Sequence, residues 1–232
     1  MNKVLVHFFN WEFKMKRIFK ALGLLIFFSI FGLFLYGLNG YWDSLESSQE
    51  YIDRAETLIK NGKGSEGLGE GRIKYLLMVE DPGFMEHSGV DLWTPGAGLT
   101  TIIQSLSKRL AFENFQPGIG KIRQTGFALG LEQTLNKEQI LALFLDTVEM
   151  GNGPNGWMTG FYKASEDINS QLPSKISHNE FIKLVAVMIS PARYDLNKND
   201  PDLTERTSRI SNLLQGKCSA KDFQDVWLKN CD

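Results

Sequence analysis

The stretch "VEDPGFMEHSGVD" (residues 79–91) packs five ionisable side chains and two glycines into thirteen positions, directly after the apolar run "YLLM" (75–78). Carboxylates stand beside apolar surface when they are paired, solvated or used. Pro82-Gly83 breaks the apolar segment into a turn, which puts Glu80 at the edge of a loop. Its neighbours Leu77, Met78 and Phe84 would raise a carboxylate pKa by desolvation, toward values useful for acid–base chemistry. The plainer reading has Glu80 and Asp81 capping a helix and facing water.

Towards the N-terminus, "ALGLLIFFSIFGLFLYGLNG" (21–40) carries no charge over about the 20 residues that span a bilayer. Lys14, Lys16, Arg17 and Lys20 precede it, and Asp43, Glu46 and Glu50 follow. That asymmetry predicts a cytoplasmic N-terminus and an extracytoplasmic remainder. The apolar stretch is longer than a cleaved leader's, and no small-x-small site follows it, so an uncleaved anchor is expected. Met15 opens "MKRIFKALG", a compact basic-then-apolar start, and is read as an alternative first residue.

The 232 residues bound one sizeable domain plus the anchor, and a net charge of −2 with no basic stripe speaks against nucleic acid. The three histidines and two cysteines show no metal-ligand spacing. Cys218 and Cys231 lie near the C-terminus, where an oxidising compartment allows a disulfide; free thiols are the alternative.

Helical periodicity runs through residues 42–62, and "GKGSEGLGEG" (62–71) ends it as a Gly-rich linker. "RIKYLLMVE" (72–80) reads as a short strand or a helical turn. Helices are predicted over "LTTIIQSLSKRLAF", "KIRQTGFALGLEQTL", "NKEQILALFLDTV" with Asn136 as N-cap, and "GWMTGFYKASEDINSQL". Others follow in "SHNEFIKLVAVMI", near Ser177 or His178, and "DPDLTERTSRISNLLQG". No alternating strand is read, and "GNGPNG" (151–156) lacks the lysine of a phosphate-binding loop. Trp93, Trp157 and Trp227 are expected in the core rather than stacked on sugar.

The opening stretch also carries a resemblance. Glu80-Asp81-x-x-Phe84-x-x-His87-x-Gly89-x-Asp91 resembles the first signature of glycosyltransferase family 51, the peptidoglycan glycosyltransferases. "GLTTIIQSLSKRL" (98–110) is similar to the second signature through Gly98, Thr101, Ile102, Gln104, Leu106, Lys108 and Leu110. "LEQTLNKEQILALFLDTVEMGNGPNG" (131–156) and "LVAVMISPARYD" (184–195) follow the later ones.

The resemblance implies a mainly α, lysozyme-like domain behind one N-terminal transmembrane helix. The organisation expected is a basic cytoplasmic N-terminus (1–20), a signal anchor (21–40), a juxtamembrane helix and linker (41–70), a glycosyltransferase-51-like domain (71–215) and a tail (216–232). It implies a bacterial cytoplasmic-membrane protein with its domain in the periplasm. The activity implied is polymerisation of lipid II, by transfer of the glycan from undecaprenyl pyrophosphate to an acceptor 4-hydroxyl.

Glu80 would be the general base, and Asp81, Phe84 and His87 would orient the loop and acceptor. Thr101, Gln104, Lys108, Lys121 and Arg209 would bind substrate, Lys108 at the donor phosphate. No cofactor is required, although a divalent cation, Mg or Mn, accompanies the pyrophosphate in the family. The partners implied are lipid II, nascent glycan, the membrane and other wall-building proteins.

The departures are specific. Gln124 stands where the family has its second catalytic glutamate, Gly120 and Gln116 replace basic residues, and Arg109 replaces an asparagine. Asp91 to Gly98 is a short connection where the family has a long one. A glutamine hydrogen-bonds but holds no charge. Glu149 and Glu113 are candidate replacements for the carboxylate. Two alternatives therefore stand beside a working polymerase: a lipid II- or glycan-binding regulator, and a single-glutamate lytic enzyme.

Overall fold

The computed structural model describes residues 3–232, with side chains from Met15 onward. The reading of Met15 as a start, and of the residues before it, lies outside those side chains. Among the described residues the chain is mainly helical, as the periodicity predicts, with one short hairpin.

Helix α1 (Lys3–Glu46) runs unbroken through the predicted anchor. Its Met15–Glu46 portion is long and apolar enough to cross a membrane, with a mean hydropathy of 2.4 in its most apolar window. Leu25 and Phe28 on it are exposed. A turn at Ser47 separates α1 from α2 (Ser48–Lys60), the predicted juxtamembrane helix.

Where α1 leaves its apolar stretch it lies against α5 (Gly120–Thr134). The contact is between backbones: a Cβ at Gly126 would strike the Gly37 carbonyl, and one at Gly40 the Arg123 carbonyl. Small residues let two helices approach this closely, so side-chain-free surface replaces interdigitation. Arg123 and Asp43 close the contact with a 2.6 Å ion pair. The anchor is thus fixed to the helix that carries Gln124.

The core is built around α6 (Lys137–Thr147), whose Ile140, Leu143, Phe144 and Leu145 are essentially inaccessible. A helix apolar on all sides must be central. Asn136 caps it as predicted, in a reciprocal box with Gln139. On it pack α2, α4 (Ile102–Ala111) and α7 (Phe161–Asn169), while α8 (His178–Val187) packs on α7 and α9 (Pro201–Leu214) on α8. Ser177 caps α8, and Asp200 caps α9 with Pro201 in its first turn.

Two expectations are corrected and one open reading is settled. "RIKYLLMVE" is helical, α3 (Arg72–Glu80). The predicted helix from residue 156 begins only at Phe161. Ahead of it β1 (Glu149–Gly153) and β2 (Gly156–Thr159) pair antiparallel, with a bulge between Glu149 and Gly151. Three glycines hid this hairpin by diluting any apolar alternation; its turn chemistry, not its strands, makes it. The tryptophans also differ: Trp93 is 87% exposed and Trp157 half-exposed, and only Trp227 packs on the core.

Cys218 and Cys231 form a disulfide that closes the C-terminal segment onto α9.

Candidate active cleft

Glu80 is the last residue of α3, and Asp81, in an extended conformation, turns the chain away from the helix axis. The Glu80 carboxyl is half-buried where two cavities, of about 280 and 310 Å³, adjoin. Both cavities share Glu80, Thr100, Ser105, Phe144, Met188 and Ile189, so they are lobes of one cleft. Burial pushes the Glu80 pKa up to about 7; the Asp81 charge adds to the rise, while Arg206 and Arg109 oppose it. A carboxyl near 7 is suited to taking a proton at neutral pH.

Asp81 is wholly buried. Its Oδ2 accepts the Ile102 N–H at the start of α4 (2.8 Å), and its carboxylate meets His87 Nε2 at 2.9 Å. The Gly89 N–H donates to His87 Nδ1 at 3.1 Å, which leaves Nε2 as the protonated nitrogen. Phe84 is fully buried under His87 and the Lys137 ammonium, and Lys137 also donates to the His87 carbonyl. Thr101 and Gln104 cap α4 reciprocally, and the Thr101 hydroxyl donates to the Gly89 carbonyl at 2.8 Å.

The signature residues Asp81, Phe84, His87, Thr101 and Gln104 are therefore placed as the frame of the loop. Only Thr101 of these reaches a cavity wall, and its hydroxyl is already engaged. Between them these five residues shape the loop. They fix the end of α3 to the start of α4, and that joint aims Glu80.

The second lobe is cationic. Lys108, Arg109 and Lys121 line it together with Gln124 and Glu149. Lys108 is exposed beside the Phe115 ring, and Lys121 donates to the Thr100 hydroxyl at 3.0 Å. Arg109 lies over Phe144, bonds Ser105 and Thr147, and keeps Nη2 buried without a partner. Burial lowers its pKa to about 10 against the pull of Glu149 and Glu80. Gln124 is 2% exposed, and its Nε2 donates to the Gln104 carbonyl at 2.6 Å, so its amide is spoken for.

Of the two carboxylates named as replacements, Glu149 reaches the lobe that holds Glu80, while Glu113 lines only a neighbouring recess. The β-bulge after Glu149 re-aims this side chain, a signal the sequence does not display.

Arg209 lies outside the cleft, paired with Glu205 and Asp232. Arg206 is the α9 cation at the site, 1% exposed and lining the first lobe with Glu80. Leu203, Thr207 and Ile210 mark the inner face of α9, on which Arg206 lies, and Arg209 sits to the side of that face, away from the cleft and largely covered by its ion pairs.

Asp81, His87 and Asp91 bring ligand-type atoms together, but they do not fit a cation. Both Asp81 oxygens and both His87 nitrogens are already bonded, and only Asp91 Oδ2 lacks a partner. Asp91 instead accepts the Trp93 and Thr94 N–H groups and shapes the loop.

A family model described as Transglycosylase matches residues 64–215. The chain is similar to the biosynthetic peptidoglycan transglycosylase of Nitrosospira multiformis, 28% identical over 194 residues, covering 73% of this chain and 83% of that one. It is similar to the same-named protein of Laribacter hongkongensis, 24% identical over 215 residues and 82% and 92% of the two chains. Penicillin-binding protein 1A of Clostridium perfringens is 28% identical over 202 residues, 77% of this chain but 28% of that larger protein.

Proposed function

The chain belongs to the transglycosylase family, and from that premise we propose that it is a membrane-anchored glycosyltransferase that polymerises peptidoglycan glycan from lipid II. The observation that carries this reading is the placement of one carboxylate near pKa 7 between a cationic lobe and a second lobe.

In this mechanism the donor pyrophosphate lies against Lys108, Arg109 and Lys121, and the acceptor sugar lies in the first lobe. Glu80 takes the proton from the acceptor 4-hydroxyl as that oxygen attacks the donor anomeric carbon. The bond from that carbon to the pyrophosphate oxygen breaks, and the leaving lipid pyrophosphate keeps the electron pair. Fixed cations stabilise the charge that develops on it, in a site where water is largely excluded. Glu149 supplies the carboxylate that Gln124 does not, facing the electron-poor donor sugar. The Asp81, His87 and Asp91 cluster is already bonded, so the divalent cation that the family resemblance implies would come with the pyrophosphate.

Lys16, Arg17 and Lys20 before the span, with Asp43, Glu46 and Glu50 after it, orient the N-terminus to the cytoplasm of a bacterial inner membrane. The close contact of α1 with α5 then keeps the cleft near the bilayer from which a lipid-linked donor is drawn.

The test uses purified full-length protein in detergent with labelled lipid II, then with preformed glycan strands. Glycan growth that Glu80→Gln abolishes supports the polymerase. The amide lock on Gln124 favours a regulator as the second reading, and lipid II binding without product would establish it. Fragments released from preformed strands would replace both readings with lytic chemistry.

A further inference from the structure

We propose that the disulfide-closed C-terminal segment (216–232) is a wall of the cleft: it closes the first lobe and holds Arg206 in place, so that turnover depends on the Cys218–Cys231 bond. This rests on the glycosyltransferase reading for the word turnover, but not for the wall itself.

The segment lies beyond the residues matched by the family, yet it is joined to the site at four points. The Asp222 carbonyl accepts the Gly96 N–H, and the Phe223 carbonyl accepts the Gly98 N–H, both at 2.9 Å. Those two amides belong to the short connection between Asp91 and α4, and without the segment they would have no partner in that loop. Val226 lines the first lobe and sits against the open face of Gly98, which has φ +67° and no room for a Cβ. The Val226 carbonyl accepts from Arg206 Nη1 at 2.8 Å.

That last bond matters because Arg206 is a nearly inaccessible cation in the cavity wall whose Nε has no partner. Its charge and that of Glu80 act on each other. The Trp227 ring also lies beside the guanidinium, at 5.9 Å. The other groups facing Glu80 are Asp81 beside it and Arg109 of α4, neither of which touches the segment.

The segment has little regular structure and little deeply buried apolar surface of its own. Its regular structure is one 3₁₀ turn at Lys229–Cys231, and its deeply buried side chains are Leu228 and Cys231. Asn212 donates to the Cys231 carbonyl and Arg209 pairs with Asp232, so two further anchors lie next to the disulfide. Opening that bond frees the segment where it is clamped, and the Gly96, Gly98 and Arg206 contacts lose their support.

The experiment compares oxidised full-length protein with the same sample after phosphine reduction, and with Cys218→Ser. Reduction acts on protein already folded, which covers a Cys218→Ser chain that fails to fold. On reduction the Gly96 and Gly98 amides should exchange with deuterium at least 10-fold faster, while amides of α5 stay unchanged. Lipid II polymerisation should fall at least 10-fold, while inhibition by inorganic pyrophosphate, which reports the cationic lobe, shifts less than 2-fold. Val226→Trp, which fills the first lobe, should raise the acceptor KM several-fold with the disulfide intact.

Unchanged exchange at Gly96 and Gly98 would overturn the wall. Accelerated exchange with undiminished polymerisation would overturn its link to turnover. If the oxidised protein makes no glycan at all, the polymerase reading falls, and the exchange result alone decides the wall.

Discussion

The two lobes that meet at Glu80 differ in what their side chains are free to do. In the first, a carboxyl raised to about 7 stands beside a buried arginine, aimed by a frame whose polar atoms are nearly all engaged. In the second, three cations and Glu149 line a lobe of similar size, and the position of the family's second acidic residue holds an amide bonded to backbone. In the proposed mechanism proton transfer falls to the first lobe and charge stabilisation to the second, because a pyrophosphate leaving group departs as an anion without needing a proton.

The sharpest way to break this comparison is Glu80→Gln. Removing a general base should lower kcat by about 10³-fold, with lipid II affinity within about 3-fold, read by product gels and binding titration. Retained turnover would move the base elsewhere. Next, Lys108→Ala should cost about 10²-fold in kcat/KM, the scale of one lost electrostatic donor. A loss confined to KM would make the second lobe a binding surface only.

The third expectation is a pH profile. Glu80 must be ionised to accept a proton, so kcat/KM should fall about 10-fold per pH unit below about 7 and level off above it. Arg206→Met removes the strongest charge favouring the ionised form, and the limb should then move to higher pH. A limb near the ordinary carboxylate range would mean that the first lobe is wet.

Smaller effects test the frame and the amide. Asp81→Asn weakens the charged acceptor for the Ile102 N–H and His87, and should cost about 2 kcal/mol in thermal unfolding. Gln124→Glu puts a carboxylate against the Gln104 carbonyl, where only the protonated form can donate. It should leave the rate within about 3-fold and cost about 1–2 kcal/mol at pH 8, a cost that fades in acid as the group protonates. A large gain in rate would instead make Gln124 the defect of the second lobe.

Much of the site is legible along the chain because its parts are local. Glu80 beside "YLLM" announces a desolvated carboxyl, and Thr101 with Gln104 spells a helix start three residues apart. Lys108 and Lys121 show themselves through the same spacing. The Glu149 hairpin stayed hidden because glycine carries no face, and Arg206 was passed over for a neighbour one turn along that lies away from the cleft. Neither the near-naked contact of Gly37 with Gly126 nor the tail's bonds to Gly96 and Gly98 leaves any trace in periodicity, since backbone meets backbone.

By itself the sequence determined most of the helices, the Asn136 cap, the apolar N-terminal helix and the family, because these follow from side-chain identity at short spacing. Only the tertiary structure decided which signature residues are buried away from the cleft, that Arg206 and Glu149 line it, and that a segment past the family match meets it. Those outcomes depend on burial and on backbone hydrogen bonds between distant residues, and a residue's identity does not say which neighbour will take its water away.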